Sequence, residues 1–301
     1  MKKYLFVLSA IVLFAFSSCQ KVAGDLITKE FAIEDSYTAL EVSSAFDVTV
    51  SEDVDVVTVT VGENVMPKVV VEVKDNTLKI HLKPQAVPLG GEMKVLIPYN
   101  ADLTKVVLSG ASEFHTTYGL EAEKVEVELS GASDFYGDIT ANKVDFDLSG
   151  ASSFNGNVET TDAYIEMSGS SDYNGDILSD IIKADLSGSS NIVGNVTADN
   201  LELIQRGSSD AKLIGNVAAL KIDLAGSSNI VEQVVDHHYA LACGRCEGLM
   251  SGASDAYIHC DGTLKVDLSG ASNLHFTGNG NPADCTTSGG SDVIHDVIEE
   301  P

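Results

Sequence analysis

Tryptophan is missing from this chain, aromatic residues are few, and only four cysteines follow Cys19, at positions 243, 246, 260 and 285. A hydrophobic core must therefore rest on stacked Leu, Val, Ile and Phe. Of the six prolines none falls between Tyr99 and Asn281, so no backbone N–H is withheld from that stretch, as an unbroken ladder of strands requires. Basic residues are scarce: 18 Lys and Arg stand against 45 Asp and Glu, giving a formal charge of −27. Nucleic-acid binding through phosphates needs a basic patch, and none is available. Beyond the first eighteen residues no apolar run is long enough to cross a bilayer. Also missing are a nucleophile with a base beside it, a phosphate loop and calcium-loop spacing. No catalytic residue, cofactor or metal ligand is predicted.

What is present is a repeat. The phrase apolar-Ser-Gly-(Ala/Ser)-Ser-(Asp/Asn) returns ten times, with glycines at 110, 131, 150, 169, 188, 207, 226, 252, 270 and 289. The intervals are 21, 19, 19, 19, 19, 19, 26, 18 and 19 residues. A fixed period of this kind marks a solenoid. Two residues before the glycine stand Leu108, Leu129, Leu148, Met167, Leu186, Leu224, Met250 and Leu268, and four before it another apolar column runs from Val106 to Val266. The residue between the two is usually acidic, which makes a strand with one face inward and one in water. The period is too short for a strand and a crossover helix but holds two or three short strands joined by tight turns, so the fold expected is a β-solenoid with rungs of about 19 residues. Each glycine becomes a corner at positive φ. The serine two residues later stacks from rung to rung, and Phe114, Phe135, Phe154 and Tyr173 continue the core.

Two outer columns support this stacking. Directly after the serine the later copies read Asp172, Asn191, Asp210, Asn229, Asp255, Asn273, Asp292; five before the glycine they read Lys183, Glu202, Lys221, Glu247, Lys265, Asp284. Alternation of this kind keeps like charges from lying directly opposite one another on adjacent strands. Ten rungs predict a rod of roughly 45 to 50 Å.

Residues 1–18 carry Lys2, Lys3 and an apolar run ending in Ser17 and Ser18, and Cys19 follows. This is a secretion signal of the lipoprotein type, with Cys19 the expected lipidated residue and the lipid the protein's only membrane contact. Residues 19–39 are expected as a tether, 40–100 as a valine-rich, irregular β cap with a hairpin turn at Asp75 and Asn76, and 101–301 as the solenoid. The cap covers an edge that would otherwise invite aggregation.

The one long interval places an insertion at 229–250, with His237, His238, Tyr239, Cys243, Arg245 and Cys246. Four cysteines in an exported chain allow two disulfides by three connectivities; metal or redox chemistry and free thiols are the alternatives. Cys243 and Cys260 lie 17 residues apart, nearly one rung, and are the preferred pair. Gln205 and Arg206 replace an inward leucine and a serine, which reads as drift or a local site. His115, Tyr118 and His275 read as solvated.

A lipoprotein-type signal, the segments Phe46-Asp47-Val48-Thr49-Val50 and Asp75-Asn76-Thr77-Leu78-Lys79-Ile80, and the repeated Leu-Ser-Gly-Ala-Ser-Asp together resemble the auto-transporter adhesin head GIN domain family over residues 37–295. The resemblance implies a right-handed parallel β-helix shaped like pectin-lyase proteins without their catalytic residues, in the envelope of Gram-negative bacteria. The expected function is a non-enzymatic, lipid-anchored outer-membrane protein, facing the surface or the periplasm. Its partner is expected to be a glycan or a protein, and it can form homo-oligomers. The alternatives are a polysaccharide-active enzyme and a purely structural envelope scaffold. A lyase acting on acidic sugar needs a basic groove, and this chain is strongly acidic.

Overall fold

The computed structural model describes residues 24–86, 91–235 and 238–297. The signal segment, Cys19 and His237 lie outside them. The chain is a β-solenoid of about ten turns, and among the described residues no helix is long and apolar enough to cross a membrane. Two compact units meet in sequence at Tyr118 and Gly119.

In the first unit, two columns of parallel strands surround a valine-rich core. Ala39–Val42 pairs with Thr77–Leu82 and Lys105–Leu108, and Asp47–Ser51 pairs with Met93–Pro98 and Glu113–His115. Their alternate residues, among them Leu40, Val48, Leu78, Val95, Val106 and Phe114, are buried. Antiparallel pairs extend these columns. Val69–Lys74 folds back on Thr77–Leu82 through the expected turn, where Asp75 and Asn76 adopt φ of 50° and 62°. Two consecutive left-handed residues twist a two-residue hairpin in the same sense as its strands, and Asn and Asp tolerate that conformation better than most. Part of the stretch expected as a tether is ordered: Leu26–Phe31 is a strand antiparallel to Val57–Gly62. It is held by backbone bonds at a sheet edge with its side chains largely exposed, so no apolar alternation announces it.

Repetition organises the second unit. Ile139–Leu148, Val158–Met167 and Ile177–Leu186 are parallel neighbours in unbroken register. Shorter strands such as Asp134–Tyr136, Ser153–Asn155 and Asp172–Asn174 stack in the same way. Parallel in-register pairing places each residue against its own copy one rung away, so a column of like residues builds the core. Leu148, Met167, Leu186, Leu224, Met250 and Leu268 form one such column and are buried. Phe135, Phe154 and Tyr173 form another, with ring centroids 5.2 Å and 5.0 Å apart in stacked geometry. Corners fix the glycine. Gly150 has φ +79°, and a Cβ there would lie 2.5 Å from the carbonyl oxygen of Gly131 one rung away. Conformation and close approach both demand a hydrogen side chain.

The corner serines are buried and their bonding is more local than the sequence implies. Ser133 Oγ donates to Ser130 O at 2.8 Å and Ser190 Oγ to Ser187 O at 2.8 Å, each within its own turn; Ser171 adds a bond to Leu148 O of the previous rung at 3.2 Å. The amide and acid column behaves as expected. Asn191 Nδ2 donates to Asp172 Oδ1 at 2.8 Å, Asn229 to Asp210 at 3.0 Å and Asn273 to Asp255 at 2.9 Å. Gln205 keeps its inward slot by donating from Nε2 to Ser209 O and Asn229 O at 3.1 and 3.3 Å. Arg206 clamps the neighbouring corner through Asp223, donating to its backbone oxygen at 2.6 Å and pairing with its carboxylate.

The insertion is narrower than the sequence indicates. Asn229–Ile230 still pairs with both neighbouring rungs, and Leu241–Met250 is again a regular rung strand. Between them Val234–Val235 pairs antiparallel with His238–Tyr239. Tyr239 seats this small hairpin: its hydroxyl donates to Asp296 Oδ2 at 2.6 Å, and its ring meets Tyr257 edge-on at 5.4 Å.

Candidate functional site

The outward faces of the long strands in the second unit carry three columns of side chains. One is acidic, with Glu128, Asp147, Glu166 and Asp185 in register. A second reads Tyr164, Lys183, Glu202, Lys221, Glu247 and Lys265. The third reads Ile181, Asn200, Ala219 and Arg245. Ala219 is the small member, and its short side chain leaves a depression between the larger ones. The resulting groove has a volume of about 430 Å³ and is lined by the second and third columns from Tyr164 to Glu247.

Its chemistry is mixed. Lys221 Nζ lies 2.8 Å from Glu202 and Lys183 lies 3.9 Å from the same carboxylate, so the two cations share one acid on the rung between them. The Glu202 contact also raises the Lys221 pKa above the ordinary lysine value. Tyr164 is 38% exposed and Ile181 43%, which supplies an apolar patch at one end. Lys143 sits over the Tyr164 ring at 4.6 Å. An aromatic face, aliphatic patch, amide, guanidinium, ammoniums and carboxylates converge within one concavity, a combination that suits a ligand presenting both hydroxyls and apolar ring faces.

A second depression of about 420 Å³ runs along the corner residues Asp138, Asn157, Asp176 and Asn195. Those polar groups are already engaged with one another: Asp138 accepts from the Asn157 backbone N–H at 2.7 Å, Asn157 from Asp176 at 3.0 Å, and Asp176 from Asn195 at 2.8 Å. Architecture accounts for them.

Among the other residues singled out from the sequence, Cys243 and Cys260 are register partners on adjacent rungs, both buried and both thiols in this structure. Cys246 is buried beside them and Cys285 is half-buried. His275 is not simply solvated: it stacks on Tyr257 at 4.6 Å and its Nδ1 lies 2.9 Å from Asp296. In the first unit His115 Nε2 lies 3.2 Å from Glu113 and 3.7 Å from Asp47. Asp47, Glu113 and His115 hold one ligand atom each within 4.8 Å of one another, the metal-competent group found among the described residues. Two carboxylates and an imidazole are a donor set for a divalent ion. Sequence reasoning missed it because Asp47 and His115 come from strands far apart in the chain; only Glu113 and His115, two apart on one strand face, were visible as neighbours.

Together these features define an all-β solenoid with a polar groove on its sheet face. The chain belongs to the family described as "Putative auto-transporter adhesin, head GIN domain", whose model matches residues 36–180 and again 173–280. A solved structure shares the fold. A "putative adhesin" from Parabacteroides merdae is 20% identical with a TM-score of 0.52, covering 91% of this chain and 97% of the other. A "putative lipid binding protein" from Parabacteroides distasonis is 17% identical with a TM-score of 0.49, covering 91% and 97%. Among curated proteins no match is found.

Proposed function

We propose that this chain is a non-enzymatic adhesin head of the cell envelope, anchored by a lipid on Cys19, that binds a glycan in the groove between Tyr164 and Glu247. The observation that carries the reading is the groove itself. In a chain with a net charge of −27, it gathers Lys183, Lys221 and Arg245 beside an exposed tyrosine and isoleucine. Family membership and the adhesin relative support the adhesive class. Sugar recognition commonly combines a ring platform with directional donors and acceptors, and the groove offers both.

Against the enzymatic alternative, the groove carboxylate Glu202 is shared between Lys183 and Lys221, a counter-charge that ties the cations of the column together.

The test is a glycan array probed with the purified mature chain and with Tyr164→Ala and Arg245→Ala variants. Selective binding that drops at least tenfold in both variants is expected. Binding unaffected by either change, or no glycan bound at all, overturns the assignment of the groove. Release of sugar products that vanishes when one carboxylate is replaced overturns the non-enzymatic reading.

A further inference from the structure

Four cysteines cluster near the end of the second unit, and the rung geometry distinguishes sharply among their possible pairings. Cys243 and Cys246 are three residues apart on one strand, Leu241–Met250. At the rise of an extended chain their Cα atoms are about 10 Å apart, beyond the roughly 7 Å that a disulfide spans. Cys246 lies opposite Leu264, and Cys285 follows one rung later beside Thr286, which pairs with Asp267. Two rungs and a shift along the strand separate that pair by about 12 Å, again too far. Cys243 and Cys260 differ from both. They are direct register partners on adjacent parallel strands, where Cα atoms stand about 5 Å apart, inside the range a disulfide takes.

Their side chains also face one another in the core. Cys243 is 5% and Cys260 0% exposed. Cys260 Sγ donates to Thr263 O at 3.9 Å. The adjoining Cys243 side chain and the backbone N–H of Gly262 lower the Cys260 pKa, and the same proximity together with burial raises that of Cys243. We infer that Cys243 and Cys260 form a single inter-rung disulfide, with Cys246 and Cys285 remaining thiols.

The position gives the bond a purpose. Leu241–Met250 is the first rung strand after the pair Val234–Val235 and His238–Tyr239, and its register against the following strand shifts between Cys243 and Arg245. That is where the succession of rungs is interrupted and where a strand could slip. A covalent link between residues 243 and 260 fixes the register at the interruption. Because both sulfurs end up buried, the bond forms while the last rungs are still assembling. The Cys260 thiolate attacks an external disulfide, a thiol–disulfide oxidoreductase or oxidised glutathione, and releases one thiol. Cys243 then loses its proton to solvent and attacks the mixed disulfide, releasing the second thiol. Two protein thiols are oxidised and one external disulfide is reduced.

Refolding the full mature chain in a glutathione redox buffer tests this, with free thiols alkylated before tryptic digestion. Cleavage after Lys221, Arg245 and Lys265 places Cys243 in peptide 222–245, and Cys246 and Cys260 together in 246–265. The expected product is 222–245 joined to 246–265, retained in Cys246→Ser and lost in Cys260→Ser, with Cys285 alkylated. All four cysteines alkylated, a link that disappears in Cys246→Ser, or a link to Cys285 would each overturn the assignment. The unaltered chain supplies the deciding map even where a variant folds poorly. A reductant should lower the melting temperature of the wild type and leave that of the Cys243→Ser/Cys260→Ser double variant unchanged.

Discussion

The two units solve the same problem, burying one face of many short strands, by different means. In residues up to 118 each contact is individual: a valine strand meets a different strand on each side, antiparallel hairpins join parallel columns, and turns such as Asp75-Asn76 are tailored to one place. From 119 onward each residue meets its own copy, so one good choice is multiplied along the column, and so is one bad choice. Stability in the first unit is spread over many unlike contacts; in the second it is concentrated in a few columns.

The largest expected effect follows from the corner glycines. Gly150→Ala meets a backbone oxygen at 2.5 Å and a φ of +79°, neither of which can relax without moving a neighbouring rung. A loss of about 4 kcal/mol in urea unfolding is expected. The matched change in the first unit, Asn76→Ala at φ 62°, meets the left-handed conformational cost and gives up the 2.8 Å donation from Nδ2 to Thr38 Oγ1, with no clash against a neighbouring rung, and should lose about 1 to 2 kcal/mol. Equal losses at the two positions would break the contrast.

Next comes the aromatic column. Phe154 stacks between Phe135 and Tyr173 and is fully buried, so Phe154→Ala should cost about 3 to 5 kcal/mol by the same measurement. Its neighbour predicts the opposite sign. The Tyr173 hydroxyl is buried with no hydrogen-bond partner among the described residues, so Tyr173→Phe should stabilise by about 1 kcal/mol, the desolvation cost of an unpaired hydroxyl. A loss of stability there would mean that the hydroxyl has a partner, such as a trapped water.

Smaller still is the amide and acid column. Asn191→Asp replaces a 2.8 Å amide donor to Asp172 with a like charge, for a loss of about 0.5 to 1 kcal/mol that shrinks as salt is added. The smallest effect concerns Asp261. The backbone N–H of Asn279, at 3.0 Å, and then the His259 ring hold its carboxyl below the usual range. A depressed folded pKa contributes stability above the unfolded value and loses it as pH falls through the folded one. Asp261→Asn should therefore slightly flatten the acid limb of a stability profile, and an unchanged limb would remove Asp261 from the account.

Legibility in the sequence follows the same division. Corners, core columns and the alternating Asp172 to Asp292 ladder could be read because repetition makes spatial neighbours of residues one period apart. Cys243 and Cys260 were legible for that reason. The first unit lacks a period, so the pairing of Leu26–Phe31 with Val57–Gly62 left no trace, and neither did the approach of Asp47 to His115. The groove was hidden differently. Tyr164, Ala219 and Arg245 occupy positions that read as ordinary solvent face, and only their summed sizes reveal a concavity. The insertion looked wider than it is because Leu241–Met250 carries glycines and cysteines in slots where other rungs hold leucine or valine.

The alternating Lys183, Glu202, Lys221, Glu247 and Lys265 column has a further implication for any polymer that lies along it. Its chemistry repeats every second rung, a step of about 9.6 Å. A chain ligand displaced by that step finds nearly the same charges again. Binding would then have several equivalent footholds and no unique endpoint, so that a long polymer rebinds locally before it escapes and affinity rises with its length.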